Sequence, residues 1–190
     1  MRIAIDIDEV LTPFLPTLLK WRPPLRTVPS RYPYNFSKIY DISERESQNL
    51  VQNFYHTEEF SNLKPFAHTK QVLGSISEFH KLYIVTGRQE PVRLQTERWI
   101  EKWYPGIFAD VILTNSFTDK EVSKSTICKI LNIGLIVDDN LDTCIHCMVN
   151  GTKAVNFIGD PVYPWCTRND ISFGQWSHPP DALLFTYNAK

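Results

Sequence analysis

Short, mostly apolar runs punctuate the chain at residues 2–6, 82–86, 110–114, 134–138 and 153–158. Each has strand length and lacks the polar–apolar alternation of a strand with one wet face, so each reads as a strand covered on both sides. Helical patterns lie between them. Residues 89–104 carry Val92, Trp99, Ile100 and Trp103 at helix-compatible spacings among charges; Ser123 can cap a helix through Leu131, and Asn140 one that ends before Gly151. This alternation predicts an α/β domain built on a doubly wound parallel sheet.

The first crossover breaks the rhythm. Residues 9–81 separate the first two strands, although the helix that a crossover needs fits within 67–80. Roughly 40 to 50 residues are left over, far more than a connecting loop uses. The surplus opens with a proline-rich stretch, 21–33, and continues through SERESQNLVQNFYHTEEF, where Ser43 and Glu46 have the spacing of a capping box. A small, largely helical cap inserted after strand one is therefore expected, with 16–65 as cap and 1–15 plus 66–190 as core. Beyond Gly159 the pattern is of loops, with one late strand over 182–187. No internal repeat or low-complexity segment is present.

The bulk properties narrow the function classes. A length of 190 residues suits one domain with an inserted subdomain. Twenty Lys and Arg against 21 Asp and Glu give a net charge of -1, so nucleic-acid binding through bulk electrostatics is disfavoured. No apolar run approaches a membrane span, and acids interrupt the opening MRIAIDIDEV, so a cytoplasmic protein with no membrane partner is expected. Oligomeric state is left open. The pair Cys144-x-x-Cys147 invites a zinc or redox reading, but no second such pair completes a four-ligand site. Buried thiols are the expected role of Cys128, Cys144, Cys147 and Cys166, and the five histidines show no ligand spacing.

In a doubly wound sheet, ligands bind beyond the carboxyl ends of the strands. Here those ends carry Asp6-Ile7-Asp8, Thr86-Gly87-Arg88 and Asp138-Asp139-Asn140, and Lys124 opens the helix before strand four. Acids gathered from two strand ends make a hard-oxygen site of the kind that suits Mg²⁺. Residues two apart in extended chain project to the same side, so Asp6 and Asp8 face one pocket. Asp6 can attack phosphorus as a carboxylate nucleophile, giving an aspartyl-phosphate. Asp8 can protonate the leaving oxygen and then deprotonate the hydrolytic water. The Thr86 hydroxyl, the neighbouring N–H groups at Gly87, and the Lys124 ammonium offer contacts to the phosphoryl oxygens. Each fragment alone has a plain structural explanation: a DD pair before a helix is often an N-cap, and lysines at 120, 124 and 129 can all be a solvated helix face. Their order, each at the end of a separate βα unit, carries the reading.

This quartet resembles the haloacid dehalogenase superfamily, whose phosphatases carry DxDx[TV], a Ser or Thr after strand two, a Lys and a closing acid pair. Asp6-Ile7-Asp8-Glu9-Val10, Thr86, Lys124 and Asp138-Asp139 match that order over roughly residues 1 to 160. The resemblance implies a metal held by Asp6, the Asp8 backbone carbonyl and Asp139, with Asp138 behind them. Glu9 departs from the Gly common in these phosphatases.

The insertion should fold over the carboxyl edge and select what enters. It is rich in rings: Trp21, Tyr32, Tyr34, Phe36, Tyr40, Phe54, Tyr55 and Phe60. Most are expected to build the cap's own core, and one or two to line the entrance, where aromatic faces stack on planar groups. Residues 34–66 followed by LYIVTGRQE are similar to the 5'(3')-deoxyribonucleotidase branch of the superfamily. That similarity implies substrate contacts at Phe36, Tyr40 and Arg88; Arg88 also reads as a surface residue at a strand end. The leading expectation is a Mg²⁺-dependent phosphomonoesterase acting on a small phosphorylated metabolite, preferably a nucleoside monophosphate. A phosphatase of polynucleotide ends and a non-catalytic module of the same fold are the alternatives.

Overall fold

The computed structural model describes residues 1–184 of the chain. Strands β1 (Arg2–Ile5), β2 (Lys81–Thr86), β3 (Phe108–Leu113), β4 (Leu135–Asp138), β5 (Lys153–Phe157) and β6 (Ser172–Phe173) form one all-parallel sheet in the order β3-β2-β1-β4-β5-β6. This is the doubly wound α/β sheet expected from the strand pattern. β6 is the addition; its two residues are too short for any period to register.

The helices are α1 (Phe14–Trp21), α2 (Phe36–Tyr40), α3 (Glu44–Tyr55), α4 (Glu58–Ser61), α5 (Thr69–Ser77), α6 (Arg93–Trp103), α7 (Lys124–Ile130), α8 (Leu141–Val149) and α9 (Asp181–Leu184). None is long and apolar enough to cross a membrane. Ser43 caps α3 in a full capping box with Glu46, and Ser123 and Asn140 cap α7 and α8 through their side chains. α6 starts later than its periodicity suggests. Pro91 sits in a preceding 3₁₀ turn, Glu90–Val92, which its fixed φ favours.

Both faces of the sheet are covered except at the edge strand β3, where Ala109 and Asp110 are exposed and the two-sided cover expected of that run does not hold; elsewhere the period-two geometry of a strand sorts the side chains between the faces. Ile3, Ile5, Leu82, Ile84, Leu135 and Val137 meet Leu73 and Ile76 of α5 and Trp99 and Ile100 of α6. Ala4, Tyr83, Val85 and Ile136 turn to the other face, against Cys128 of α7 and Cys144 and Cys147 of α8. These three and Cys166 are free, buried thiols, and the CxxC spacing reflects one helical turn packed on the sheet.

A separate cluster is built from α1 to α4: Phe14, Leu15, Leu18, Ile39, Leu50 and Phe54 are all buried in it, with Trp21 and Tyr40 packed on the outside. The late strand expected over 182–187 is corrected for its described part. Residues 181–184 form α9, because Pro180 and Asp181 favour a helix start and the Leu183 N–H bonds back to Pro180 O at 2.9 Å. Residues 185–187 lie outside the described residues.

Candidate active site

The strand order reverses between β1 and β4, which are hydrogen-bonded neighbours with Ile5 paired to Val137. The crevice therefore opens where Asp6 follows β1 and Asp138 closes β4. Asp6, Asp138 and Asp139 are all buried, and each offers a carboxylate oxygen within 4.8 Å of the others. Lys124, at the first position of α7, places Nζ 2.8 Å from Asp6 Oδ2 and 2.6 Å from Asp138 Oδ2. Asp138 Oδ1 accepts the Asn140 N–H at 3.0 Å, and Asp139 Oδ2 accepts the Trp165 indole N–H at 2.9 Å. Below them, Asn156 Nδ2 donates to the Asp138 and Asp139 carbonyls at 3.1 and 3.0 Å, fixing the turn out of β4.

With all three carboxylates ionised, one ammonium would leave two negative charges unbalanced. Asp6 Oδ1 is buried with no hydrogen-bond partner. Burial pushes the Asp6 carboxyl up to about 7, against the opposing pull of Lys124, and burial with the charge of Asp138 lifts Asp139 well above the usual carboxylate range. Burial disfavours the Lys124 ammonium, but Asp138 and Asp6 outweigh it and raise its pKa. An all-oxygen donor set with an orphan oxygen and three acids to one lysine fits a hard divalent cation. Asp6 and Asp139 are the residues that would hold it; both Asp138 oxygens are already engaged.

Asp8 also lines the crevice, but its carboxylate turns to Arg88. The guanidinium donates from Nε to Oδ2 at 3.0 Å and from Nη2 to Oδ1 at 2.7 Å. Nη1 reaches Thr96 Oγ1 at 3.2 Å, and the Phe60 ring lies 4.9 Å from Cζ. Arg88 is 2% exposed, so the surface-residue alternative does not hold. Thr86 is wholly buried at the end of β2, with Oγ1 accepting the Arg88 N–H at 3.4 Å; Gly87, not Thr86, is on the crevice wall. A Cβ at Gly87 would stand 3.2 Å from Ser116 Oγ, so glycine lets the wall close there.

Glu9 takes φ 64°, the left-handed region that glycine enters without strain. Its side chain has a positive reason to be there. Oε1 accepts the Leu15 N–H at 2.5 Å, supplying α1 with the cap that Pro13 cannot give. Glu9 is completely buried and Oε2 has no partner; burial holds its carboxyl well above the usual range, against the effect of the Leu15 bond. The Glu9 carbonyl accepts the Tyr163 hydroxyl at 2.9 Å.

Above these groups lies a cavity of about 450 Å³, with Asp6, Asp8, Lys124, Asp138 and Asp139 on one side and α3 on the other. Three hydrogen bonds tie α3 across its edge. Tyr55 Oη and Gln52 Nε2 donate to Gln89 Oε1 at 2.9 and 3.5 Å, and Gln48 Nε2 donates to Phe117 O at 3.0 Å. Of the eight rings singled out in the insertion, Tyr34, Phe36 and Tyr55 reach the cavity, joined by Phe14. Tyr40 does not; its hydroxyl donates to Arg22 O at 2.7 Å. Lys120 and Lys129 are exposed, and neither lines the cavity. Sequence reasoning missed Trp165 and Gln89. Gln89 directly follows Thr86-Gly87-Arg88 at a strand end, a usable signal; Trp165 sits in a loop with no period and gives none.

No protein family model matches the chain, and no curated protein sequence does. Solved structures do. A haloacid dehalogenase-like hydrolase from Streptococcus pneumoniae has a TM-score of 0.59 at 14% identity, over 82% of this chain and 83% of that one. A 2-haloacid dehalogenase from Pseudomonas syringae gives 0.55 at 14%, over 93% and 94%. A HAD-family enzyme from Bacteroides thetaiotaomicron, in complex with magnesium and inorganic phosphate, gives 0.50 at 11%, over 82% and 93%. At these identities the likeness is one of fold.

Proposed function

We propose that the protein is a Mg²⁺-dependent phosphomonoesterase that works through an aspartyl-phosphate, with a nucleoside monophosphate as preferred substrate. The observation that carries this is the buried, unpartnered Asp6 Oδ1 in a cluster of three acids that meets a single lysine. Bound there, Mg²⁺ supplies positive charge to the carboxylates and to the phosphoryl oxygens.

The chain's own groups then divide the work. Asp6 attacks phosphorus, and the bond from phosphorus to the ester oxygen breaks as Asp8 gives that oxygen a proton. Asp8 next takes a proton from the water that cleaves the aspartyl-phosphate, returning Asp6 as a carboxylate. Arg88 holds Asp8 on the cavity wall by donating to both of its oxygens, and it has to release one of them for Asp8 to carry the proton that it gives to the ester oxygen. Lys124 and the Gly87 N–H face the phosphoryl oxygens. Residues 16–65 act as a cap that selects the leaving group, with Tyr34 and Phe36 offering stacking faces.

A dehalogenase among the similar structures suggests attack of the same aspartate on carbon. Displacing a halide from carbon needs no cluster of three acids around the nucleophile, so the acid cluster favours phosphorus. Phosphate release from nucleoside monophosphates and sugar phosphates, measured with Mg²⁺ and with EDTA, tests the reading. Release that depends on Mg²⁺ and is fastest with the nucleotides is expected. No release from any ester would overturn it.

A further inference from the structure

The two cations on the cavity wall are both engaged by carboxylates. Arg88 is held by Asp8, and Lys124 by Asp6 and Asp138. Among the described residues no other lysine or arginine lines the cavity. Away from the acid cluster its polar surface is made of amides such as Gln48, Asn49 and Gln52 of α3, of serine and threonine hydroxyls, and of the carboxylates of Glu44 and Glu121. One of those glutamates comes from the start of α3 and the other from the loop before α7. Each is oriented by a hydrogen bond. Ser37 Oγ donates to Glu44 Oε1 at 2.6 Å, and the Phe117 N–H donates to Glu121 Oε2 at 2.7 Å.

From this distribution of charge we infer that the part of the ester beyond its phosphoryl group is uncharged and hydrogen-bonding, and that a second anionic group on it is refused. The inference rests on the phosphomonoesterase reading and narrows its substrate class. A phosphate or carboxylate on the leaving group would meet two glutamates and no available cation, while hydroxyls or a neutral base would meet amides, which both donate and accept. Phe36 and Tyr34 add apolar ring surface to the lining. A nucleoside monophosphate satisfies these conditions. The end of a polynucleotide does not, because the next phosphodiester brings a negative charge to the glutamates.

Matched esters test this: glycerol 3-phosphate against 3-phosphoglycerate, and a nucleoside 5'-monophosphate against its 3',5'-bisphosphate. Binding to the Mg²⁺-loaded protein by calorimetry and phosphate release are measured side by side. The member without the second anionic group should be favoured on the order of tenfold, less at high salt because both glutamates are exposed. Glu44→Gln with Glu121→Gln should narrow that ratio. Equal or tighter binding of the member with that group overturns the inference, whether or not either ester is hydrolysed. Selective binding without phosphate release upholds it and overturns the phosphatase reading, and binding of neither member overturns both.

Discussion

Arg88 grips Asp8 through two parallel hydrogen bonds, Nη2 to Oδ1 at 2.7 Å and Nε to Oδ2 at 3.0 Å, with the arginine side chain 1% exposed. A lysine has no planar fork and can meet only one of those oxygens at a time. Arg88→Lys should therefore keep the charge and lose the orientation of Asp8. The expected result is a fall in kcat of about tenfold or more with a smaller change in KM, since the lost geometry acts on proton transfer. An unchanged kcat would show that Asp8 needs no such hold.

Trp165 stacks on Tyr163, with ring centres 4.7 Å apart and planes at 17°, while its indole N–H meets Asp139 Oδ2. Trp165→Phe keeps much of the stack and removes the donor. Groups that orient a metal's ligands commonly contribute about 10- to 100-fold to affinity. Mg²⁺ titration followed by calorimetry should show a loss in that range with little change in Tm; equal affinity would separate Trp165 from the metal site.

Glu9 combines a left-handed backbone with a side-chain cap on α1. Alanine loses the cap and keeps the strain, whereas glycine loses the cap and relieves the strain. Denaturant unfolding should rank Glu9→Gly above Glu9→Ala by about 1 kcal/mol. Both variants lack the cap, so the reverse order would show that the left-handed backbone does not disfavour a side chain at this position.

The raised carboxyls of Asp6 and Asp139 link stability to pH. An acid whose pKa is higher in the folded state favours folding at low pH, and that contribution is lost as pH rises through the folded value, here about 7 for Asp6. The metal-free protein should thus lose stability from about pH 4 to about pH 7, at up to about 1.4 kcal/mol per pH unit for each titrating proton. Mg²⁺ competes with those protons, so its thermal stabilisation should grow over the same interval. A Mg²⁺ shift independent of pH would contradict the assignment of the cluster.

The parallel sheet was legible because two-sided burial makes its long strands continuous apolar runs, as in Ile3–Ala4–Ile5 and Leu135–Ile136–Val137. The strand ends were legible for a related reason: once the strands are placed, the crevice residues follow from topology, and Asp6, Asp8, Arg88, Lys124, Asp138 and Asp139 all line the cavity. Tertiary partners were not legible. Nothing in the order of residues shows that Arg88 is buried against Asp8, 80 positions away, or that the Tyr40 hydroxyl turns to Arg22 O. β6 and Trp165 depend on long-range packing of a loop, which leaves no period.

The most direct test of the central claim is the fate of the phosphoryl group on Asp6. The Mg²⁺-loaded protein, mixed with a nucleoside monophosphate carrying labelled phosphate and quenched in acid, should hold an alkali-labile label on Asp6. Asp6→Asn should fold, carry no label and hydrolyse the ester roughly a thousandfold more slowly or worse, as expected when a nucleophile is removed. Undiminished turnover by Asp6→Asn, or label on another residue, would contradict the account.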